Sequence, residues 1–242
     1  MPHVPLFVSE KYAGRSFRDL YGDVVMEIDW SVGQILDKLK ELGIDENTLV
    51  VYTSDNGPWL GYGIDGGSAG PLRDGKGSLY EGGVRVPGIF RWPAKIPAHS
   101  RTEAIAGNLD LLPTIGSLAG AQLPQDRVVD GRDLWPILSG ESERSPHRYF
   151  HYFGGSREGS INYRGIRDEH WKLMFSVHPG GKLYPQALYD LQADVSERFD
   201  RLQDHPDIAE ELNRAAQEFY DEMKENLRPL GHLDRDSAYP GQ

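Results

Sequence analysis

A glycine-rich stretch that directly follows an apolar strand pattern limits the folds open to this chain more than any other feature. Residues 57–83, GPWLGYGIDGGSAGPLRDGKGSLYEGG, hold ten glycines without a regular repeat. Glycine loses more conformational freedom on folding than other residues, so it weakens regular helices and strands. The stretch therefore predicts a long loop with close backbone approaches, and loops of this length in compact domains are usually functional.

The residues before this loop have the patterns of a helix and a buried strand. Apolar residues recur at three- and four-residue spacing from Tyr21 to Leu42, which predicts an amphipathic helix with one buried face. Thr48 to Ser54 is apolar without alternation, so we expect a strand buried on both faces, as in a parallel sheet. Helix, short loop and buried strand in this order predict an α/β fold with a mostly parallel sheet flanked by helices.

The character of the chain changes near residue 140. Short aromatic segments then alternate with turn residues, which predicts a small antiparallel sheet. We expect two domains, an α/β part over 1–140 and an α+β part with antiparallel strands and a final helix over 141–242. The other elements expected are a strand over 84–92, a helix over 108–118 with Pro113 in its first turn, and the final helix after Pro206.

Composition excludes several classes of protein. The chain has 242 residues, a formal net charge of -11 and no cysteine, so disulfides, thiolate metal sites and a cysteine nucleophile are excluded. No apolar run reaches the roughly 20 residues of a membrane span, and a negative field repels nucleic acid. The first residues lack the basic and apolar regions of a signal peptide. We therefore expect no nucleic-acid partner, no membrane association and no signal peptide in this chain.

Asp55 and Asn56 follow the predicted strand at its carboxyl end, where open α/β sheets bind ligands. A carboxylate and an amide carbonyl are hard oxygen donors that suit Ca²⁺ or Mg²⁺. Ordinary turn chemistry is the alternative, because Asp-Asn and Asn-Gly are common in turns. Two donors are also fewer than the six to eight oxygens that calcium takes.

Three further residues are candidates for contact with a substrate. Lys76, between Gly75 and Gly77, can bring its ammonium to an anion; the alternative is a solvated lysine on a loop. His3 can contact an anion or protonate a leaving oxygen, or lie on a frayed terminus. Strand alternation puts His147, Tyr149, His151 and Phe153 on one face, which is either a pocket wall that includes His151 or ordinary packing.

Several motifs together resemble the second half of type I sulfatases of the arylsulfatase family, which belong to the alkaline-phosphatase-like superfamily. These motifs are PHVP, the run from YGDVVMEIDW to VVYTSDNGP, GKGSLYEGGVRVPGIFRWP, LDLLPTI and RDLWPILSG. GIRDEHWKLMF and ALYDLQAD resemble the C-terminal subdomain of the same family. The resemblance covers the chain to about residue 227.

The resemblance implies a sulfuric ester hydrolase that acts on aryl or carbohydrate sulfate esters. It implies that Asp55 and Asn56 are ligands of the active-site cation, usually calcium, that Lys76 contacts the sulfate group, and that His3 contacts the sulfate or the leaving oxygen. Members of the family are often periplasmic or secreted.

The chain departs from the family pattern in one important respect. The family's formylglycine nucleophile is made from the Cys or Ser of a C/S-x-P-x-R motif, and two further metal ligands are paired aspartates. Neither motif occurs in this chain. We therefore expect a truncated sulfatase without a nucleophile, without true turnover, and with weak or lost calcium binding.

Two other functions stay open at this point. One is a repurposed ester or phosphoester hydrolase on the same scaffold, although Asn56 favours a sulfatase, since many related phosphoesterases have His there. The other is a non-enzymatic protein that assembles through exposed strand edges. On either reading, a fold that lacks half of its sheet exposes apolar surface, so we expect a homo-oligomer.

Overall fold

Four antiparallel strands and one long helix form the best-packed part of the chain. The computed structural model describes residues 2–155 and 161–227. In one sheet, neighbouring strands lie in the order β3 (Phe150–Phe153), β4 (Tyr163–Arg167), β5 (Trp171–Val177) and β6 (Leu183–Asp190). All three pairings are antiparallel. This confirms the antiparallel sheet that the aromatic segments predict.

Helix α5 (Pro206–Asn226) covers one face of this sheet. Proline at its start fits a helix, because the first N–H groups of a helix have no intrahelical partner. Its apolar residues recur at helical spacing, so they share the face that packs on the sheet. The resulting core contains Tyr163, Ile166, Leu173, Leu188, Leu212 and Ala216, each of them almost fully buried.

The first part of the chain has a longer helix and a smaller sheet. Helix α1 (Asp19–Glu41) ends two residues before Gly43, whose φ of 68° is the left-handed conformation that glycine adopts readily after a helix. Strands β1 (Val50–Thr53) and β2 (Gly88–Arg91) pair with each other. The short helices are α2 (Glu81–Val84), α3 (Leu111–Leu118) and α4 (Trp135–Leu138), and one-turn 3₁₀ segments precede β1 and α3.

The predicted mostly parallel sheet is not confirmed. β1 and β2 are antiparallel, with Val50 opposite Arg91 and Thr53 opposite Gly88. No pairing among residues 2–155 and 161–227 is parallel. The apolar run from Thr48 to Ser54 indicates burial but not the direction of a neighbouring strand. Val50, Val51 and Thr53 of β1 are only half-buried in this structure, and Tyr52 is exposed.

The prediction that α1 buries an apolar face holds only in part, because the less exposed apolar residues of this face are half-buried and none is fully buried: Tyr21, Ile28, Val32, Leu36 and Leu39. Val25, Ile35 and Leu42 are 41%, 55% and 61% exposed. The one fully buried side chain of α1 is Asp23, whose carboxylate accepts hydrogen bonds from the N–H groups of residues 14, 15 and 16 at 2.6–2.9 Å. Periodicity identifies a face that can pack, but it does not supply the partner that covers it.

The glycine-rich stretch makes close backbone approaches, as predicted. Gly57, at its start, donates its N–H to the carbonyl of Gly83, at its end, over 2.9 Å. A Cβ atom at Gly57 would overlap the carbonyl oxygen of Gly82, so the two backbones can meet only where a side chain is missing. The loop therefore joins the end of β1 to the segment that leads into β2.

A buried group of charged residues joins this loop to the four-stranded sheet. Lys172 of β5 is fully buried, and its Nζ lies 3.1 Å from Glu81 Oε1 and 2.8 Å from Glu197 Oε1. Lys172 also donates to the carbonyl of Leu79 over 2.7 Å. Leu173 packs under α5, and alternation puts Lys172 on the opposite face of the strand, towards the loop.

The two carboxylates of this group differ in their surroundings. Burial alone would raise the pKa of Glu81, but Lys172 and Arg167 outweigh this effect and hold that pKa below its usual value. Tyr152 also donates a hydrogen bond to Glu81 over 2.7 Å. Burial raises the pKa of Glu197, and the opposing effect of Lys172 reduces that shift without reversing it. Lys172 and Arg167 therefore favour the ionised form of the Glu81 carboxylate.

No helix among residues 2–155 and 161–227 combines the length and the apolar character needed to cross a bilayer.

The predicted domain boundary near residue 140 stays a prediction.

Replacing Lys172 by Met should lower the free energy of unfolding by about 3–5 kcal/mol, because two buried carboxylates would lose their shared cation. Urea titration followed by circular dichroism measures this loss. Lys182→Met is the matched control, since Lys182 is exposed just before β6 and its ammonium lies over the ring of Tyr184. Equal unfolding midpoints for the two variants would contradict the assigned role of Lys172.

Candidate active site

The carboxyl end of β1 is held by Asn108, which lies in the 3₁₀ turn before α3. The Asn108 side chain donates to the carbonyl of Ser54 over 2.8 Å and accepts from the Thr53 hydroxyl over 3.1 Å. Asn108 thus replaces a neighbouring strand as the hydrogen-bond partner at this point. The backbone is therefore held in place immediately before Asp55 and Asn56.

Asp55 and Asn56 contact each other. The amide nitrogen of Asn56 donates to Asp55 Oδ2 over 2.9 Å, which leaves the amide carbonyl of Asn56 and Oδ1 of Asp55 as oxygen donors. Asp55 is exposed and Asn56 is half-buried. Such a pair fits part of the oxygen shell of a hard divalent cation. Across the described ranges, no group of three or more His, Cys, Asp or Glu residues has metal-binding geometry.

Lys76 and His3 meet at the indole ring of Trp59. The Lys76 ammonium lies 4.8 Å from the centre of that ring. The imidazole of His3 has its centre 5.2 Å from the same ring, at an angle of 56°. The structure therefore brings together the two residues predicted to contact an anion, through a third residue, Trp59.

The Lys76 side chain has no carboxylate partner within residues 2–155 and 161–227. Its backbone N–H donates to the carbonyl of Pro58 over 2.8 Å, but the ammonium contacts only the Trp59 ring. This is notable in a chain with 37 acidic and 26 basic residues. A cation beside an aromatic ring, half-buried and without a counter-ion, is well suited to bind an anionic ligand.

The predicted site residues form two adjoining groups. Asp55 and Asn56 lie four and three residues before Trp59. The carbonyl of Pro58, just before Trp59, accepts a hydrogen bond from the backbone N–H of Lys76. Asp55 and Asn56 also line a cavity of about 630 Å³, and His151 lines the same cavity. His3 and Lys76 are not among the residues that line this cavity.

The cavity lies between the end of β1 and strand β3. Its wall is mainly apolar, with polar or charged side chains that include Arg85 and Glu103 as well as Asp55, Asn56 and His151, and such walls are typical of small-molecule sites. The larger apolar side chains that line it are Leu79, Val84, Val86, Phe90, Leu109, Leu134, Ile137, Leu138, Phe150 and Phe153.

His151 is held in place by aromatic contacts. Its ring stacks on Phe219 of α5 with 3.6 Å between centres, and Nδ1 lies 2.7 Å from the Tyr163 hydroxyl. Burial, with a smaller effect of His147, lowers the pKa of His151 from 6.5 to about 4. His151 is therefore a neutral imidazole near pH 7.

The face predicted for β3 has two different environments. Tyr149 packs against the core under α5, and Phe153 stacks on Tyr163. His147 lies before the strand, and its Nε2 is 2.7 Å from Oδ1 of the fully buried Asp110. The packing alternative therefore describes His147 and Tyr149, whereas His151 both packs and lines the cavity.

The sequence interpretation missed the residues that position the site. Glu81, Lys172 and Glu197 fix the glycine-rich loop, and Asn108 fixes the end of β1. One signal was present for Lys172: it is a charged residue inside the run WKLMF, where both faces of the strand are buried. A lysine at such a position needs buried acidic partners.

Family models and relatives agree on the class of protein. A model described as Sulfatase matches residues 1–121, and a model of the C-terminal region of N-sulphoglucosamine sulphohydrolase matches residues 74–226. Human steryl-sulfatase is 49% identical over 156 residues, which are 62% of this chain and 27% of that protein. Human arylsulfatase A is 37% identical over 217 residues, 83% of this chain and 42% of that protein.

Solved structures give the same result. The PsFucS1 sulfatase from Pseudoalteromonas sp. superposes with a TM-score of 0.81 at 27% identity, over 93% of this chain and 47% of that one. Ps i-CgsB, solved in complex with k-i-k-neocarrahexaose, has a TM-score of 0.77 at 29% identity, over 98% and 51%. The chain spans about half the length of these solved structures and less than half of the two human relatives.

Acid should destabilise the fold through His151. The unfolded chain binds a proton near pH 6.5 but the folded chain only near pH 4, so stability is complete above pH 6.5 and falls as the pH decreases towards 4. The difference corresponds to roughly 3 kcal/mol. Urea titrations of His151→Gln should lack this part of the decrease, while His99→Gln, at an exposed position, should retain it. The same pH dependence in both variants would contradict this account of His151.

Proposed function

Because the chain belongs to the sulfatase family, we propose that it forms the cation- and sulfate-binding part of a sulfuric ester hydrolase. The observation that carries this proposal is the juxtaposition of an oxygen-donor pair, Asp55 and Asn56, with Lys76, which has no carboxylate partner among the described residues. The Pro58 carbonyl joins the two groups through its hydrogen bond with the Lys76 backbone.

Asp55 and Asn56 would hold a divalent cation, for which we propose calcium. The donor set fits, because both side chains offer hard oxygens and the hydrogen bond between them aligns the pair. When bound, the cation would neutralise charge on the sulfate oxygens. Two ligands are a fraction of a calcium shell, so we expect weak binding by this chain alone.

Lys76 and His3 would act on the sulfate group. The Lys76 ammonium supplies a positive charge that no described carboxylate neutralises. Nδ1 of His3 lies 2.7 Å from the Val4 carbonyl, which can only accept, so Nδ1 carries a hydrogen. Nε2 is then the atom that can accept a hydrogen bond in the neutral ring or donate one in the charged ring, towards a sulfate or leaving oxygen.

The C/S-x-P-x-R motif that supplies the family's nucleophile does not occur in this sequence. The sequence has no cysteine, and no serine lies two positions before a proline. We therefore propose that the chain alone binds sulfate esters without hydrolysing them. The apolar cavity wall beside Asp55 favours an aryl ester over a carbohydrate ester as the ligand.

We also propose that copies of the chain associate. Large apolar side chains are exposed on α1, on β2 and on α3, including Ile35 at 55%, Ile89 at 59% and Leu112 at 61%. Exposed apolar surface of this kind marks interaction sites. At about 25 cal/mol per Å², its burial between copies would stabilise an assembly.

The test of the proposed function is binding of 4-nitrophenyl sulfate by calorimetry, with and without CaCl₂. We expect calcium to strengthen binding by the native chain and to have no effect in Asp55→Ala. Lys76→Ala should weaken binding by about tenfold or more, because a charged hydrogen-bond donor is lost.

Matched controls are Asp29→Ala, an exposed acid on α1, and Lys95→Ala, whose ammonium also lies over a tryptophan ring, that of Trp92. Both should bind like the native chain. Equal titrations for Asp55→Ala and Asp29→Ala would remove the metal assignment. Turnover of 4-nitrophenyl phosphate or acetate that depends on Lys76 would instead favour a repurposed hydrolase.

Analytical ultracentrifugation at low micromolar concentration tests the association. We expect a dimer or larger species for the native chain and a shift towards monomer for Ile35→Glu combined with Leu42→Glu, which puts charge on the exposed face of α1. Glu218→Lys, on the exposed side of α5, should keep the native distribution. A folded native chain that is strictly monomeric would refute the proposal.

A further inference from the structure

The indole of Trp59 lies at the centre of the anion-binding group. Three side chains surround it: the Lys76 ammonium at 4.8 Å from the ring centre, the His3 imidazole at 5.2 Å, and the Tyr62 ring edge-on at 4.6 Å. Trp59 itself is 39% exposed, so the group stays open to solvent and to a ligand.

The backbone around Trp59 is more tightly fixed than that of an ordinary loop. The Trp59 carbonyl accepts from the N–H of Tyr62 over 3.1 Å and opens the 3₁₀ segment Leu60–Gly66. A Cβ atom at Gly66 would overlap this carbonyl oxygen, and one at Gly75 would overlap that of Pro58. The two glycines thus allow neighbouring backbone segments to pack closely against Pro58 and Trp59. This packing fixes the backbone position from which the indole side chain extends.

The residues that Trp59 contacts have few other restraints on their side chains. The Lys76 ammonium has the Trp59 ring as its partner within the described residues. Among the residues that the structure describes, the His3 side chain makes a hydrogen bond only to the carbonyl of the next residue, Val4, which does not tie the imidazole to the rest of the fold. A long side chain and a residue near the start of the chain would otherwise lose considerable freedom on binding a ligand.

An indole is well suited to this task. The face of the ring carries negative electrostatic potential, so it attracts an ammonium, with the strongest effect for tryptophan. The same ring packs against the imidazole. One rigid side chain can therefore hold two groups of positive or potentially positive charge near each other without using a carboxylate, which would compete with an anionic ligand.

We propose that Trp59 is a positioning residue of the anion site, which holds the Lys76 ammonium and the His3 imidazole in place to bind one anion. This inference rests on the proposed function for the identity of the ligand, a sulfate monoester. Trp59 acts through Lys76 and His3 and is not assigned a contact with reacting atoms.

The first measurement uses the full chain and sodium sulfate as the probe, in calorimetric titrations. Trp59→Ala should weaken sulfate binding between about twofold and thirtyfold, the range expected for loss of a cation–π contact. Trp59→Phe keeps an aromatic face and should bind within about threefold of the native chain. Trp92→Ala is the matched control, since Trp92 contacts Lys95 at 5.2 Å and should leave sulfate binding unchanged.

The second measurement needs no ligand and separates the two proposals. In the native chain, proton NMR should show the Lys76 ε-methylene signals shifted by the indole ring current; the shift should persist in part in Trp59→Phe and vanish in Trp59→Ala. Unshifted Lys76 signals in the native chain would overturn the role of Trp59 whether or not sulfate binds. Shifted signals without sulfate binding would uphold the contact and contradict the proposed function.

Two outcomes of the binding experiment would also overturn the inference. One is native-like sulfate affinity in Trp59→Ala. The other is equal loss of affinity in Trp59→Ala and Trp59→Phe with a lower unfolding midpoint in both, which would show that the indole supports the loop rather than the side chains of Lys76 and His3.

Discussion

The geometry of the candidate site depends on one buried ammonium group, that of Lys172. An ammonium without water is costly unless carboxylates and carbonyls surround it, and Lys172 is fully buried. Its partners come from two distant parts of the chain: Glu81 and the Leu79 carbonyl at the end of the glycine-rich loop, and Glu197 after β6. Glu197 in turn accepts the backbone N–H of Glu81 over 2.7 Å. Movement of the loop away from the sheet would leave unpaired charge in the interior, so the ion group restrains the loop more strongly than apolar packing of small glycines could.

The position of the loop is then transmitted to the proposed ligand-binding residues through the backbone. Gly83, two residues after Glu81, accepts the N–H of Gly57, which directly follows the pair Asp55 and Asn56. Pro58 accepts the N–H of Lys76, so the lysine is attached to the same short segment. The buried charge of Lys172 thereby helps to set the spacing between the pair Asp55 and Asn56 and the ammonium of Lys76. None of the residues around Lys172 is predicted to contact a ligand. The stability of the antiparallel sheet and the geometry of the site are linked for this reason.

Local patterns predicted the elements well and their partners poorly. Helical periodicity and the glycine after it placed α1, and proline placed the start of α5, because these signals arise within a few residues of the element. The direction of the strand that pairs with β1 depends on residues far away in the sequence, so no local pattern encodes it. The same holds for the surface that would pack against Val25 and Ile35 of α1. The site divides in the same way. Asp55, Asn56, Lys76 and His3 stand in motifs that identify them as candidates, whereas Glu81, Lys172 and Glu197 are related only by the fold. Trp59 was visible in the sequence, but its contact with two candidates at once was not.

Two lysines show how this acidic chain distributes its charge. Lys172 has two carboxylates and a carbonyl around it and is wholly removed from solvent, so its charge serves the fold. Lys76 is half-buried on an aromatic ring with no carboxylate within the described residues, although acidic residues outnumber basic ones by 37 to 26. A free carboxylate near Lys76 would neutralise it and compete with an anion for the same donors. An aromatic ring attracts the ammonium while leaving its hydrogens available, because the ring interacts with the charge and does not take up all three N–H donors. The choice of partner therefore separates a lysine that stabilises structure from one that remains able to bind an anion.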